Sequence, residues 1–167
     1  MVEPWTIRRL LAWTAEDFRK RGLDSPRLDA EILLAHALEV TRMALYLDLD
    51  RPLGDDELGR YRGLVSRRRA REPVAYILGR REFYGRDFVC GAGTLVPRPE
   101  TETLVERALE KLAPDAEGPL LDLCTGTGAV GLTLAAERPA LRVELTDVSP
   151  LALESARRNA AALGLEG

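Results

Sequence analysis

The sequence predicts an α/β protein in two parts. A small N-terminal helical bundle comes first, and the opening βαβ segment of a doubly wound parallel sheet follows. Helical periodicity with strong cap residues fills the chain up to Arg71, and short helices of that kind bury their apolar faces only by packing together. From Leu120 the order is strand, glycine loop, helix, strand, helix, the pattern of parallel strands joined by a crossover helix. Only two parallel strands fit into the 167 residues. Such a sheet carries a raw edge, so the expectation is a fold cut short. The expected divisions are residues 1–72 (helical), 73–97 (a linker with a β-hairpin) and 98–167 (the start of the sheet domain).

Each element has its own signal. Trp5, Leu10, Leu11 and Phe18 fall near one helix face, and Gly22 stops that helix. Ser25 and Pro26 then supply a cap and a first-turn proline to PRLDAEILLAHAL. Leu28, Ile32, Leu33 and Ala35 to Leu38 form its apolar face. Thr41 caps a shorter helix through Tyr46 and Leu47, and another runs from Asp55 to Ala70 with Leu58, Tyr61, Leu64 and Val65 inward. The basic run RRRAR, Arg67 to Arg71, closes it. Positive charge suits a helix C-terminus, so the run reads as a solvated helix end or, alternatively, as a docking surface for protein or RNA.

Pro73 opens a different regime. PVAYILG is apolar, and REFYGRDFVCG places Phe83, Phe88 and Val89 for a hairpin turning near Gly85 and Arg86. Pro99, Glu100 and Glu102 start an amphipathic helix whose face is Leu104, Val105, Ala108, Leu109 and Leu112. After the turn at Pro114 to Pro119 come LLDLC, GAVGLTLAAE, LRVELTD and a helix with Ser149 as cap and Pro150 in its first turn.

Composition excludes several classes. No apolar run approaches the roughly 18 residues of a membrane span. The N-terminus runs straight into an amphipathic pattern rather than a secretory signal, so cytosol is the expected location. Cys90, Cys124 and the lone His36 give neither a disulfide framework nor metal spacing, and no metal is expected. His36 reads as a helix residue, packed or partly exposed. The net charge is -3, and residues 91–167 hold 12 acidic against 7 basic side chains, a poor surface for tracking nucleic acid.

The stretch LLDLCTGTGAVG can be read in two ways. Gly126, Gly128 and Gly131 spell the GxGxxG turn of a dinucleotide binder. Asp147, at the end of the next strand, can accept hydrogen bonds from an adenosine ribose, a feature of both dinucleotide and methyl-donor sites. Asp122 separates the two. A carboxylate just before the loop opposes a pyrophosphate but suits a ligand carrying a sulfonium and an ammonium group. Its alternative role is to cap the loop through backbone donors.

These runs also carry a resemblance. DLCTGTGAVGLTLA followed by LTDVSPLALESARRNAAALGL resembles class I S-adenosylmethionine-dependent methyltransferases. REFYGRDF followed by LVPRPETETLVERAL closely resembles the HemK/PrmC family, the peptide chain release factor glutamine methyltransferases. PRLDAEILLAHAL and REPVAYILG are similar to that family's N-terminal helical domain and linker, so the resemblance covers nearly the whole chain. The glycine loop alone discriminates poorly; PRPETE with the preceding REFYG is specific.

The resemblance implies methyl transfer from S-adenosylmethionine to the amide nitrogen of the glutamine in the GGQ loop of bacterial release factors. It implies a cofactor loop of Cys124, Thr125, Gly126, Thr127 and Gly128, with Asp147 as the ribose acid and Asp122 from the first-strand motif. Asn159 and Ala160 match a helix where packing is the expected role. The helical part would dock the protein substrate. A monomer is expected, with neither nucleic acid nor membrane as partner.

Two departures stand out. The family usually has glycine where Cys124 stands; with no base partner in the sequence pattern, Cys124 reads as a small side chain turned away from the cofactor rather than a nucleophile. The family's Asn-Pro-Pro-Tyr acceptor motif does not occur in these residues. No catalytic residue is therefore assigned, and the chain by itself is expected to be inactive. The alternatives are another N-methyltransferase, acting on ribosomal protein glutamine or DNA adenine, or a non-catalytic partner-binding fragment.

Overall fold

The computed structural model describes residues 4–166, in two compact units that meet in sequence at Leu78 and Gly79. The α/β class and the order helical unit, hairpin, βαβ segment are as the sequence predicts.

The first unit is all helical. Helix α1 spans Ile7–Lys20 and opens on Thr6, whose hydroxyl accepts from the Arg9 amide at 3.3 Å. It buries Ile7, Leu10, Leu11, Ala15 and Phe18, and Gly22 follows it with φ 66°. Helix α2, Pro26–Leu38, has Ser25 at its cap position, but that side chain makes no cap bond; Pro26 carries the start. Its first turn gains from Asp29 instead, and His36 is exposed in its last turn.

Thr41 caps helix α3, Arg42–Leu47, through the Ala44 amide. Gly54 begins helix α4, Asp55–Arg69, with the Glu57 carboxylate reaching back to its N–H at 2.9 Å. Pro73 leads into the short helix α5, Val74–Leu78, which packs on α2 and α4. The core of this unit joins α1, α2, α3 and α4 through Leu11, Phe18, Leu33, Leu34, Leu45 and Tyr61, all at most 1% exposed.

The arginines that end α4 bond within the helical unit. Arg67 pairs with Glu72, Arg68 with Asp29 at 2.8 Å, and Arg69 with Asp17 at 2.8 Å. Arg71 donates to the Arg21 carbonyl. Each guanidinium thus ties the end of α4 to α1, α2 or the following turn.

In the second unit, strands β1 (Arg80–Phe83) and β2 (Arg86–Val89) form an antiparallel hairpin. Tyr84 and Gly85 make its two-residue turn, with φ 50° and 72°, the doubly left-handed geometry that tight hairpins favour. Phe83 and Phe88 pack edge to face on the buried side. Pro99–Thr101 is a 3-10 turn rather than the first α-turn, and helix α6 runs Glu102–Lys111. Val105 is fully buried with Ala108, Leu109 and Leu112 beside it, whereas Leu104 is 57% exposed. The stripe at i, i+3, i+4 and i+7 begins at Val105, which leaves Leu104 on its margin.

Strand β3, Gly118–Leu123, pairs in parallel with β4, Leu141–Thr146, across helix α7, Ala129–Glu137. Helix α8, Pro150–Leu163, follows, its Ser149 hydroxyl accepting from the Ala152 amide. Leu120 and Leu145 face the core, while Leu121 and Leu123 on the opposite face are 54% and 69% exposed.

Candidate cofactor loop and its carboxylates

The parallel register fixes the site. Leu123 lies opposite Thr146, so the chain leaving β3 and the chain leaving β4 emerge side by side. Cys124 leaves the strand with φ 60°, and the Thr125 amide returns to the Thr146 carbonyl at 2.9 Å. Gly126 (φ 57°) and Gly128 (φ 82°) complete the turn, and the Gly128 amide bonds the Thr125 carbonyl at 2.8 Å. Three left-handed residues within five positions reverse the chain and aim it into α7. L side chains rarely adopt that region.

The glycines serve different ends. A Cβ on Gly126 would meet nothing within 4 Å, so the loop is open there. One on Gly128 would lie 2.8 Å from Leu132 Cδ1 and 3.3 Å from Ala156 Cβ. Gly131 is tighter: its Cβ would come 2.4 Å from Leu145 Cδ2 and 2.9 Å from Asp122 Oδ2. The third glycine lets α7 rest directly on the two strands.

Both carboxylates hold the loop. Asp147 accepts from the Gly126 amide through Oδ2 and from the Ser149 amide through Oδ1, each at 2.9 Å. The Ser149 and Gly126 N–H groups keep its pKa below the ordinary aspartate range, so it is an anion at neutral pH with lone pairs left over. Asp122 Oδ2 accepts from the Thr125 hydroxyl at 2.7 Å and from the Gly131 amide at 3.0 Å. The loop-capping alternative for Asp122 is therefore realised.

The residues singled out in the sequence do converge, but they divide by orientation. Thr125 and Thr127 are buried, at 8% and 2% exposure, and belong to the loop's underside. Cys124 is exposed, and Gly126 and Asp147 are half-buried. Two contributors were not singled out. Thr146 supplies the carbonyl that receives the loop and a hydroxyl that donates to the Asp122 carbonyl at 3.3 Å. Glu102, from PRPETE, accepts the Tyr84 amide of the hairpin turn at 2.9 Å. Their signal in sequence is position alone: Thr146 directly precedes Asp147, and Glu102 lies in PRPETE, a helix start and family marker that gives this side chain no role of its own. Among the described residues no group of three or more His, Cys, Asp or Glu is placed to hold a metal, and no helix is long and apolar enough to cross a membrane.

A parallel βαβ segment with a glycine loop and an acid at the end of the second strand is the arrangement that opens a class I methyltransferase domain. Comparison with known proteins agrees: residues 100–167 match the family described as methyltransferase small domain, and residues 9–79 match the PrmC N-terminal domain. Release factor glutamine methyltransferases from Geobacter sulfurreducens and Vibrio cholerae are 44% and 46% identical over 95% and 96% of this chain. That of Chlorobaculum tepidum is 44% identical over 96%. The chain belongs to the HemK/PrmC release factor glutamine methyltransferase family. It spans about half the length of the curated relatives it matches, 55% to 56% of these three.

Proposed function

We propose that the loop Cys124–Gly128 and Asp147 bind S-adenosylmethionine, and that the protein serves methyl transfer to the glutamine amide of the GGQ loop in bacterial release factors. The observation that carries the first part is Asp147. Its carboxylate is ionised and fixed by two backbone amides at the mouth of an open glycine turn, suited to accept hydrogen bonds from the ribose hydroxyls. The bound group would supply an electrophilic methyl on a sulfonium. Gly126 gives it room to approach the backbone, and Cys124 lies on the exposed rim. Thr125, Thr127 and Asp122 shape the loop from beneath.

The acceptor follows from family membership and from the names of the relatives. An amide nitrogen is a weak nucleophile, and groups that accept its N–H bonds while aligning it opposite the methyl would activate it. In the family that task falls to Asn-Pro-Pro-Tyr, which these 167 residues do not contain. The chain itself would then bind cofactor without turning over, with the helical unit as the substrate-docking part. A cytoplasmic monomer that engages neither nucleic acid nor membrane completes the reading.

Isothermal titration of the chain with S-adenosylmethionine and with NADH tests the cofactor. Binding of the first alone, weakened about tenfold or more by Asp147→Ala, is expected; preference for NADH would overturn the assignment. Methyl transfer to a purified release factor should be seen with a full-length relative and not with this chain.

A further inference from the structure

Asn159 lies in the middle of α8 and is completely buried, at 0% exposure. A buried amide has two donors and one oxygen to satisfy, and here they reach two separate segments. Oδ1 accepts from the Val89 amide at 2.7 Å, and Nδ2 donates to the Val89 carbonyl at 3.2 Å. The side chain thus pairs with both polar groups of the last residue of β2, as a neighbouring strand would. Nδ2 also donates to the Thr127 carbonyl, inside the glycine loop, at 2.8 Å. Residues 89, 127 and 159 are remote in sequence, and one side chain joins them.

That third bond matters for the loop. The peptide linking Thr127 and Gly128 has its carbonyl held by Asn159 and its N–H held by the Thr125 carbonyl. Both ends of that peptide plane are therefore fixed, just before α7 begins. Next to it, the Ala156 methyl would meet a Cβ on Gly128, so the loop also lies against the helix that presents Asn159.

We propose that Asn159 is a positioning residue. Its amide locks the glycine loop in its ligand-receiving shape and makes that shape depend on the end of the hairpin. It touches no ligand and acts through Thr127. This rests on the cofactor-loop reading given above, but the lock itself can be tested without ligand.

The experiment is amide hydrogen exchange on the whole chain, comparing wild type with Asn159→Asp and Asn159→Ala. Asn159→Asp keeps the shape and an acceptor for the Val89 N–H but loses both donors. Its expected signature is selective. Exchange at the loop amides of Thr125, Gly126 and Gly128 rises about tenfold or more, while Val89 and the β3–β4 ladder stay protected. Asn159→Ala should release Val89 as well as the loop, again sparing the ladder.

Wild-type loop protection in both variants, or exchange that rises evenly across residues 79–166, would reduce Asn159 to ordinary packing and overturn the proposal. Titration with S-adenosylmethionine separates the two readings. If wild type binds and the variants with a loosened loop bind equally well, the positioning role fails. If wild type does not bind, the cofactor assignment fails, while the exchange pattern still decides whether Asn159 locks the loop.

Discussion

Cys124 occupies a backbone position made for glycine. Its φ of 60° lies in the left-handed region, where a Cβ crowds the following carbonyl. The sequence marked it as a departure from the family pattern, and the backbone explains the family's preference. Cys124→Gly should raise stability in urea melts by up to about 1 kcal/mol, the strain relieved less the entropy glycine loses. Cys124→Val should lower it, because a β-branched side chain tolerates that region least. The two thiols should also separate chemically. Cys90 is buried and its thiol is pushed up to about 11 by burial, whereas Cys124 is exposed. Iodoacetamide at pH 8 should modify one equivalent in the folded chain, at Cys124 by peptide mapping.

Gly131 makes the opposite case, since its constraint is space rather than backbone angle. A methyl there would sit 2.4 Å from Leu145 Cδ2 and 3.0 Å from Asp122 Cβ, so the Leu145 side chain must turn aside and α7 must lift from the strand. Gly131→Ala should cost about 1–3 kcal/mol, the usual range for overpacking. Asp122 should lose its bonds to the Gly131 amide and the Thr125 hydroxyl in the same variant, with faster exchange at the Gly131 amide.

At the scale of elements, the hairpin and the start of α6 act as one piece. Glu82 Oε1 accepts from the Gly85 amide at 2.7 Å, and Glu102 Oε1 from the Tyr84 amide. Both left-handed turn residues are thereby held by carboxylates, one local and one from 18 residues away. This is why REFYG and PRPETE identify the chain better together than apart. Glu102→Ala leaves the Tyr84 N–H without its anionic acceptor, at a cost of about 1–2 kcal/mol. Thermal melts should show that loss, and Tyr84 should be the amide whose exchange accelerates most.

The arginine-rich end of α4 is the instructive miss among the helices. Four arginines within five positions read as a solvated helix end or a partner surface. Sequence spacing does not show that Asp17 and Asp29, some forty to fifty residues earlier, come to lie beside them. The Arg68–Asp29 pair, with side chains 14% and 9% exposed, is the most sheltered of these contacts.

Across the whole molecule, carboxylates held by donors set the response to acid. Glu31 is 3% exposed; burial alone would raise its pKa, but bonds from Tyr46, Arg42 and Arg27 outweigh it and bring it below the ordinary range. Asp17, between Arg69 and Arg21, and Glu57, held by the Gly54 amide and Arg51, are lowered as well. A carboxylate lowered on folding contributes stability that is fully present above its unfolded pKa and is lost as pH falls through the folded value. The melting temperature should therefore be flat from neutrality to about pH 5 and fall steadily below about pH 4. Glu31→Gln should flatten part of that fall. It should also destabilise the chain at pH 7 by about 1–2 kcal/mol, a modest figure because Arg27 and Arg42 are half exposed.

The amino-acid sequence by itself determined the helical face of each element, most caps, the hairpin, the parallel grammar and the glycine loop. These depend on residues a few positions apart, where periodicity and backbone preference act locally. It also determined the family, because REFYG, PRPETE and the loop occur in one order. Only the tertiary structure decided what each loop residue does. It turned Thr125 and Thr127 inward, gave Asp122 a bonding role beneath the loop, and fixed Asp147 by two amides. It brought Asn159 against a hairpin 70 residues away. Those outcomes depend on which strand lies beside which and how closely a helix rests on it, and that is a property of packing in space rather than of neighbours along the chain.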